Sequence, residues 1–213
     1  MNRVPNPLIA SLADELTPVT PLRRRNGWLL ALGALAVTVL AVALYVGLWQ
    51  AGLAGTAEPM FFVTNGLLLL LGLAATGAVL SLAAPAVGNR PDAPRWTSAM
   101  LAILPLTALL TALAGGHELA DLYDAHSAYC MISGTLASGL TFAALTWWLR
   151  RGAPVSTGAA GLWAGVAAGA IGSFAYGLSC PIDTVGHLGV WHVAPVAICA
   201  VLGRIALPRL IRW

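Results

Sequence analysis

The sequence predicts an all-α polytopic membrane protein: a bundle of six transmembrane helices with both termini on the cytoplasmic side. Of its 213 residues, 59% are hydrophobic and only 9% charged, against about 25% charged in an ordinary soluble domain. The apolar residues fall into runs long enough to cross a hydrocarbon core, which takes about 20 residues in a helix. The arginines gather in small groups between alternate runs, as they do where positive charge sets membrane topology.

The net charge of +3 does not argue for a nucleic-acid partner, because the basic residues form no single stripe or patch. Three cysteines without a CxxC or CxxCH motif argue against a disulfide framework, a thioredoxin-like centre and a c-type haem attachment. The length accommodates six crossings and little else. We expect residues 1–25 to form a cytoplasmic arm and residues 26–213 a single six-helix domain.

The first crossing is expected at 28–49, bounded by Trp28 and Trp49 and preceded by Arg23, Arg24 and Arg25. It follows a segment containing Asp14 and Glu15 and exceeds the apolar region of a secretory signal, which marks a retained anchor. The second is expected at 59–84, ended by the polar, proline-containing stretch 88–95. The third, at 96–114, carries Pro105 near its middle, where a missing donor and a ring clash favour a kink. The fourth is expected at 127–149 before Arg150 and Arg151, the fifth at 156–179, and the sixth at 185–207 before Arg209 and Arg212. Within the fifth, Gly161, Gly165 and Gly169 repeat at a spacing of four, which lets helix backbones approach closely in lipid.

With the amino terminus inside, every arginine falls on the cytoplasmic side. Glu58, Glu118, Asp121, Asp124 and Asp183 then lie outside, with His117, His126, His187, His192, Cys130 and Cys180 at or just beneath that face. The middles of the helices carry no charge, which argues against a transporter with an intramembrane ion site.

In the arm, Leu8, Ile9, Leu12 and Leu16 share one face of a short helix that Pro18 and Pro21 end. So narrow an apolar stripe does not fold alone in water. It needs the membrane, the bundle or a partner's groove to cover it.

On the outer face, Cys180, Asp183, His187 and His192 fall close together, and Asp183 precedes His187 by one helical turn. A neutral imidazole whose second nitrogen donates to a carboxylate is a good ligand for copper or zinc, and a thiolate suits soft or borderline metals. Cys130 begins the fourth helix on the same side and is a candidate second thiolate ligand or, in an oxidising compartment, a disulfide partner for Cys180. Against this stands a plainer reading of interfacial histidines and small core cysteines. Cys199, deeper in the sixth helix, reads as an apolar group, and His117 and His126 as exposed loop residues. A membrane thiol oxidase and a haem or copper electron carrier also place cysteines or histidines in a helical bundle.

The pattern Cys180-Pro181-x-Asp183-x-x-x-His187-x-x-x-Trp191-His192-x-x-Pro195, the closing Arg212-Trp213 and Cys130 are similar to the NrsF-type membrane anti-sigma factors of proteobacteria. The amino-terminal Leu8-Ile9, Leu12, Leu16, Pro18-Val19 and Pro21-Leu22 resemble the opening of that family. The resemblance covers essentially the whole chain. It implies a multi-pass inner-membrane regulator, not an enzyme, whose arm (Leu8, Ile9, Leu12, Leu16, Pro18, Val19) holds a sigma factor of the ECF class. It also implies release of that partner when Cys130 and Cys180, with His187 and His192 as further ligands and Asp183 beside them, meet an oxidant or a metal such as copper, zinc or cadmium.

Overall fold

A computed structural model describes residues 7–15, 22–85, 93–114 and 123–211. Leu16, Pro18, Val19, Pro21, Arg90, His117, Glu118, Asp121, Arg212 and Trp213 lie outside them. The described residues are helical, without a strand: α1 (Pro7–Asp14), α2 (Arg24–Tyr45), α3 (Gln50–Ala54), α4 (Pro59–Leu82), α5 (Ala93–Ala114), α6 (Ser127–Ala137), α7 (Gly139–Arg150), α8 (Thr157–Gly177), α9 (Val185–Trp191) and α10 (Ala194–Leu210). Six spans are long and apolar enough to cross a membrane: α2, α4, Pro94–Ala114, α6 with α7, α8, and α9 with α10.

The bundle is built around α8, a helix of glycine, alanine and few large residues whose positions are mostly buried. Its small side chains let neighbours reach its backbone. A Cβ on Gly161 would meet the Gly203 carbonyl, one on Gly165 the Cys199 carbonyl, and one on Gly169 the Pro195 carbonyl 2.7 Å away. The spacing-four glycines therefore form the seam with α10, as expected for helices that pack by close contact in lipid. Gly172 abuts Ser138 and Gly134, and Ile171 packs against Gly72 of α4. Large residues such as Leu68, Leu71, Leu145 and Leu149 fill the space around this thin axis.

Besides shifts of a few residues at helix ends, three crossings depart from expectation. The first crossing ends at Tyr45 because Gly47 adopts φ 87°, a left-handed conformation that closes helices. Trp49 is instead the residue before α3, and its N–H donates to Leu178 O at 3.0 Å.

The fourth crossing is divided at Ser138. There the backbone N–H turns to Thr135 O at 3.2 Å, and the hydroxyl donates to that same carbonyl at 2.5 Å. The tightening is of the i−3 type.

The sixth crossing is broken at His192 and Val193. Pro195 has no N–H for the Trp191 carbonyl four residues back, and its ring crowds that carbonyl. Val196 N–H goes to Val193 O at 3.0 Å, which strips His192 O of its helical donor. Ser173 of α8 supplies the replacement, its hydroxyl donating to His192 O at 2.5 Å. Pro105, by contrast, is carried inside α5 without ending it.

Contacts sort the ends of the bundle. At one end Arg24 donates to Ser81 Oγ at 2.9 Å, and Ala153 N–H to Ala83 O at 2.9 Å. At the other, Glu58 N–H donates to Asp183 Oδ2 at 3.1 Å, beside the cysteines and histidines described below.

Gly165→Leu is expected to lower stability by at least about 1–3 kcal/mol, the usual range for overpacking. Gly158→Ala, on the same helix but with nothing within 4 Å of its added carbon, should leave stability unchanged or slightly raised. Thermal unfolding of the two variants in detergent measures the contrast.

Candidate functional site: a buried cluster of two cysteines and two histidines

Each ligand-bearing side chain is placed by a different local device. Cys130 lies one turn into α6, on the face turned to the core. Cys180 ends the turn after α8, its N–H bonded to Gly177 O at 3.2 Å, and Pro181 prevents any helical continuation. Thr184 caps α9, its hydroxyl accepting from His187 N–H at 3.4 Å, which sets the His187 backbone. His192 occupies the break before α10.

That break explains why two histidines five residues apart meet. In an unbroken helix of 3.6 residues per turn, they would point about 140° apart. Here their ring centroids are 5.4 Å apart. The sequence gap alone could not show this.

Cys130, Cys180, His187 and His192 are all buried, and one donor atom from each lies within 4.8 Å of every other. The Cys130 and Cys180 Sγ atoms are 3.8 Å apart, and Cys180 Sγ is 3.6 Å from His187 Nε2. Metal–sulfur bonds of about 2.3 Å and metal–nitrogen bonds of about 2.0 Å imply tetrahedral edges of about 3.3–3.8 Å. The two measured separations already fall in that window, and the widest needs to close by only about 1 Å. The four residues therefore fit one four-coordinate ion of the zinc, cadmium or copper(I) kind.

His192 Nε2 is buried without a hydrogen-bond partner, and one nitrogen of its ring lies within 4.8 Å of both sulfurs. Leaving such an atom unsatisfied costs about 1–3 kcal/mol, which a metal ion at this position would relieve. The His192 ring stacks on Tyr176 at 6.3 Å between centroids, and the phenolic Oη of Tyr176 lies 4.0 Å from Cys130 Sγ. Tyr129 against Tyr176 and Tyr123 against Trp191 add two edge-on aromatic pairs around the cluster.

The cysteines are free thiols, separated by more than the roughly 2.05 Å of a disulfide. The contact with Cys130 and its own burial push the Cys180 thiol above the ordinary cysteine range.

Asp183, expected beside His187, is instead engaged with Glu58 N–H across the loop. The carboxylate on His187 belongs to Asp124, whose Oδ2 is 2.6 Å from His187 Nδ1. Burial works against ionisation of Asp124. The hydrogen bond to His187, the His126 N–H and the neighbouring imidazole nevertheless hold its carboxyl below the usual carboxylate range. In the sequence Asp124 is one acid in an acidic loop, and nothing in its spacing marks it out. Cys199 makes a 3.2 Å contact with Ser138 Oγ, away from the cluster.

Fold and site together define a polytopic helical membrane protein with a buried Cys2His2 cluster at one end of its bundle. The model of the family described as NrsF, negative regulator of sigma F, matches residues 12–213. A protein named anti-sigma-F factor NrsF from Caulobacter vibrioides is 31% identical over 165 residues, covering 73% of each chain. One named probable anti-sigma-F factor NrsF from Azospira oryzae is 28% identical over 188 residues, covering 88% of this chain and 86% of its own. The chain belongs to the NrsF family of negative regulators of sigma F, which are regulatory proteins and not enzymes. No solved structure matches it.

Replacing Cys180 with serine removes one soft donor from the cluster. Cys180→Ser is expected to weaken zinc(II) binding by at least tenfold, about 1.4 kcal/mol, whereas Cys199→Ser should leave it unchanged. Competition with a chromophoric chelator, using reduced protein in detergent, measures both.

Proposed function

We propose that this chain is a multi-pass protein of the bacterial inner membrane that holds a sigma factor of the ECF class inactive through its cytoplasmic amino-terminal arm. Release follows when Cys130, Cys180, His187 and His192, at the periplasmic face, capture a metal ion. The observation that carries the sensor half is the cluster itself, four donor atoms gathered within 4.8 Å and buried. Loop residues retained only for polarity have no reason to converge beneath the surface.

The orientation rests on the arginines. Arg24, Arg150 and Arg209 lie at the termini of α2, α7 and α10, and the positive-inside rule assigns such residues to the cytoplasm. The arm is joined to that same end. Its helix α1 exposes Leu8 at 63%, Ile9 at 65% and Leu12 at 55%, an uncovered apolar face suited to a groove on a partner.

A two-state bundle links the halves. Metal capture draws α6, the turn after α8, and α9 with α10 towards one centre. A ligand shifts such an equilibrium only by its difference in affinity for the two states. The inactive arrangement is the one that presents the arm to the sigma factor.

The 3.8 Å between the Cys130 and Cys180 sulfurs favours a second reading of the same site. An oxidant accepting two electrons would leave a disulfide between them and release the two thiol protons. Metal analysis alongside thiol counting on protein from induced cells distinguishes the readings.

Leu12→Asp places a charge in the proposed contact. It is expected to weaken sigma binding by about 30-fold or more, the 2 kcal/mol expected of an interface hot spot, and to raise sigma-dependent transcription without an inducer. Co-purification of the cognate sigma factor with the full-length protein reads the first, and a reporter gene the second. Retention of the sigma factor by Leu12→Asp and by a chain lacking residues 1–22 would remove the arm from the mechanism. Cys130→Ser should bind the sigma factor normally yet fail to release it when inducer is added; ordinary induction in both Cys130→Ser and Cys180→Ser would reject the sensor.

A further inference from the structure

The bond between Asp124 and His187 joins two parts of the chain that nothing in the sequence pairs. Asp124 lies three residues ahead of the start of α6, the helix that carries Cys130, while His187 lies in α9. The loop residue is itself held on both sides. Its Oδ1 accepts from His126 N–H at 2.8 Å, and its own N–H donates to Ser127 Oγ at 2.9 Å. Its second oxygen is therefore aimed, and it is aimed at His187 Nδ1 at 2.6 Å.

Two states of the ring suit this contact, the neutral Nδ1–H tautomer and the imidazolium, and only the neutral ring can bind a metal ion. A carboxylate oxygen accepts and cannot donate, so Nδ1 must carry the hydrogen. In the neutral ring that leaves the lone pair on Nε2, the nitrogen 3.6 Å from Cys180 Sγ. With Nε2 protonated and Nδ1 bare, two acceptors would face each other at hydrogen-bonding distance. The ring would also turn an N–H, not a lone pair, towards the thiols.

We propose that Asp124 is the positioning residue of the Cys2His2 cluster, fixing the tautomer and orientation of His187 so that Nε2 faces the divalent or soft cation taken by Cys130 and Cys180. The assignment rests on the reading of the cluster as a metal sensor. Asp124 itself is not a ligand. Its side chain remains 37% exposed while that of His187 is wholly buried, so the carboxylate stands between the cluster and the surface. Carboxylates on the far nitrogen of a ligating histidine raise its basicity and lock its ring, and their loss typically costs 10–100-fold in metal affinity. Asp183, one turn ahead of His187 in sequence, has no such role because its carboxylate is bonded to Glu58 N–H.

Nitrogen-15 NMR of histidine-labelled full-length protein, reduced and metal-free in detergent micelles, reads the tautomer directly. The wild-type His187 should show a protonated Nδ1 and a bare Nε2, and Asp124→Ala should lose that preference. Zinc(II) competition should then show a 10–100-fold weaker affinity for Asp124→Ala and unchanged affinity for Asp183→Ala. Asp124→Asn, which keeps an acceptor oxygen but not the charge, should retain the tautomer with an intermediate loss of affinity; it also serves if the alanine variant does not fold. Cobalt(II) spectra of the variants report whether the nitrogen donor is still bound.

A wild-type His187 with a bare Nδ1 would overturn the proposal. So would an Asp124→Ala protein, helical and stable, whose tautomer and zinc affinity match the wild type. Failure of the wild-type protein to bind zinc(II) or cobalt(II) would instead defeat the metal-sensor reading, and the NMR measurement would still decide whether Asp124 sets the ring.

Discussion

The close approach of α8 and α10 is the contact on which the rest of the structure depends. Lipid offers no hydrophobic drive for helices to associate, so packing has to come from shape. Gly161, Gly165 and Gly169 provide it by bringing α10 so near that its carbonyls leave no room for a Cβ. With α10 held there, Pro195 falls beside α8 and the break ahead of it delivers His192 to Ser173. The turn following α8 then sets Cys180 in the same layer. The chemistry at one end is thus a product of backbone packing that runs down the length of the bundle.

Several polar groups inside that bundle find their partners locally. Thr38, Thr76 and Asn65 each bond a carbonyl four residues back in their own helix. The carbonyl freed at His192 is taken by a hydroxyl from a neighbouring helix. His192 Nε2 has no such partner, a condition it shares with Asn65 Oδ1, Trp148 Nε1 and the hydroxyls of Thr64, Thr141, Thr146 and Ser179; it differs from them in lying within the cluster that holds two thiols.

Much of this was legible in the residues. The six crossings follow from apolar length, and the segregation of arginine from cysteine and histidine follows from counting crossings. That Cys130 and Cys180 share one end of the bundle was readable from the count of crossings, whereas the 3.8 Å between their sulfurs was not. Helix boundaries were less so: apolar composition runs on through Gly47 to Trp49, and only the positive φ of Gly47 stops the helix. The partner of His187 was the least legible feature. Spacing favoured Asp183 because neighbours in sequence are easily placed on one helical face, whereas Asp124 is 63 residues away. Its selection depends on where Tyr123 and Asp124 lie against α9, which is a property of the assembled bundle.

The depth of the cluster has a consequence for time as well as for affinity. On the proposed reading, a hydrated ion would have to shed its water, and the aromatic surroundings would have to part, before four side chains that are each almost wholly covered could hold it. Capture and escape alike then pass through the same opening, and the slower that opening, the longer an ion stays once held. A metal sensor of the proposed kind would ignore brief encounters and integrate sustained exposure.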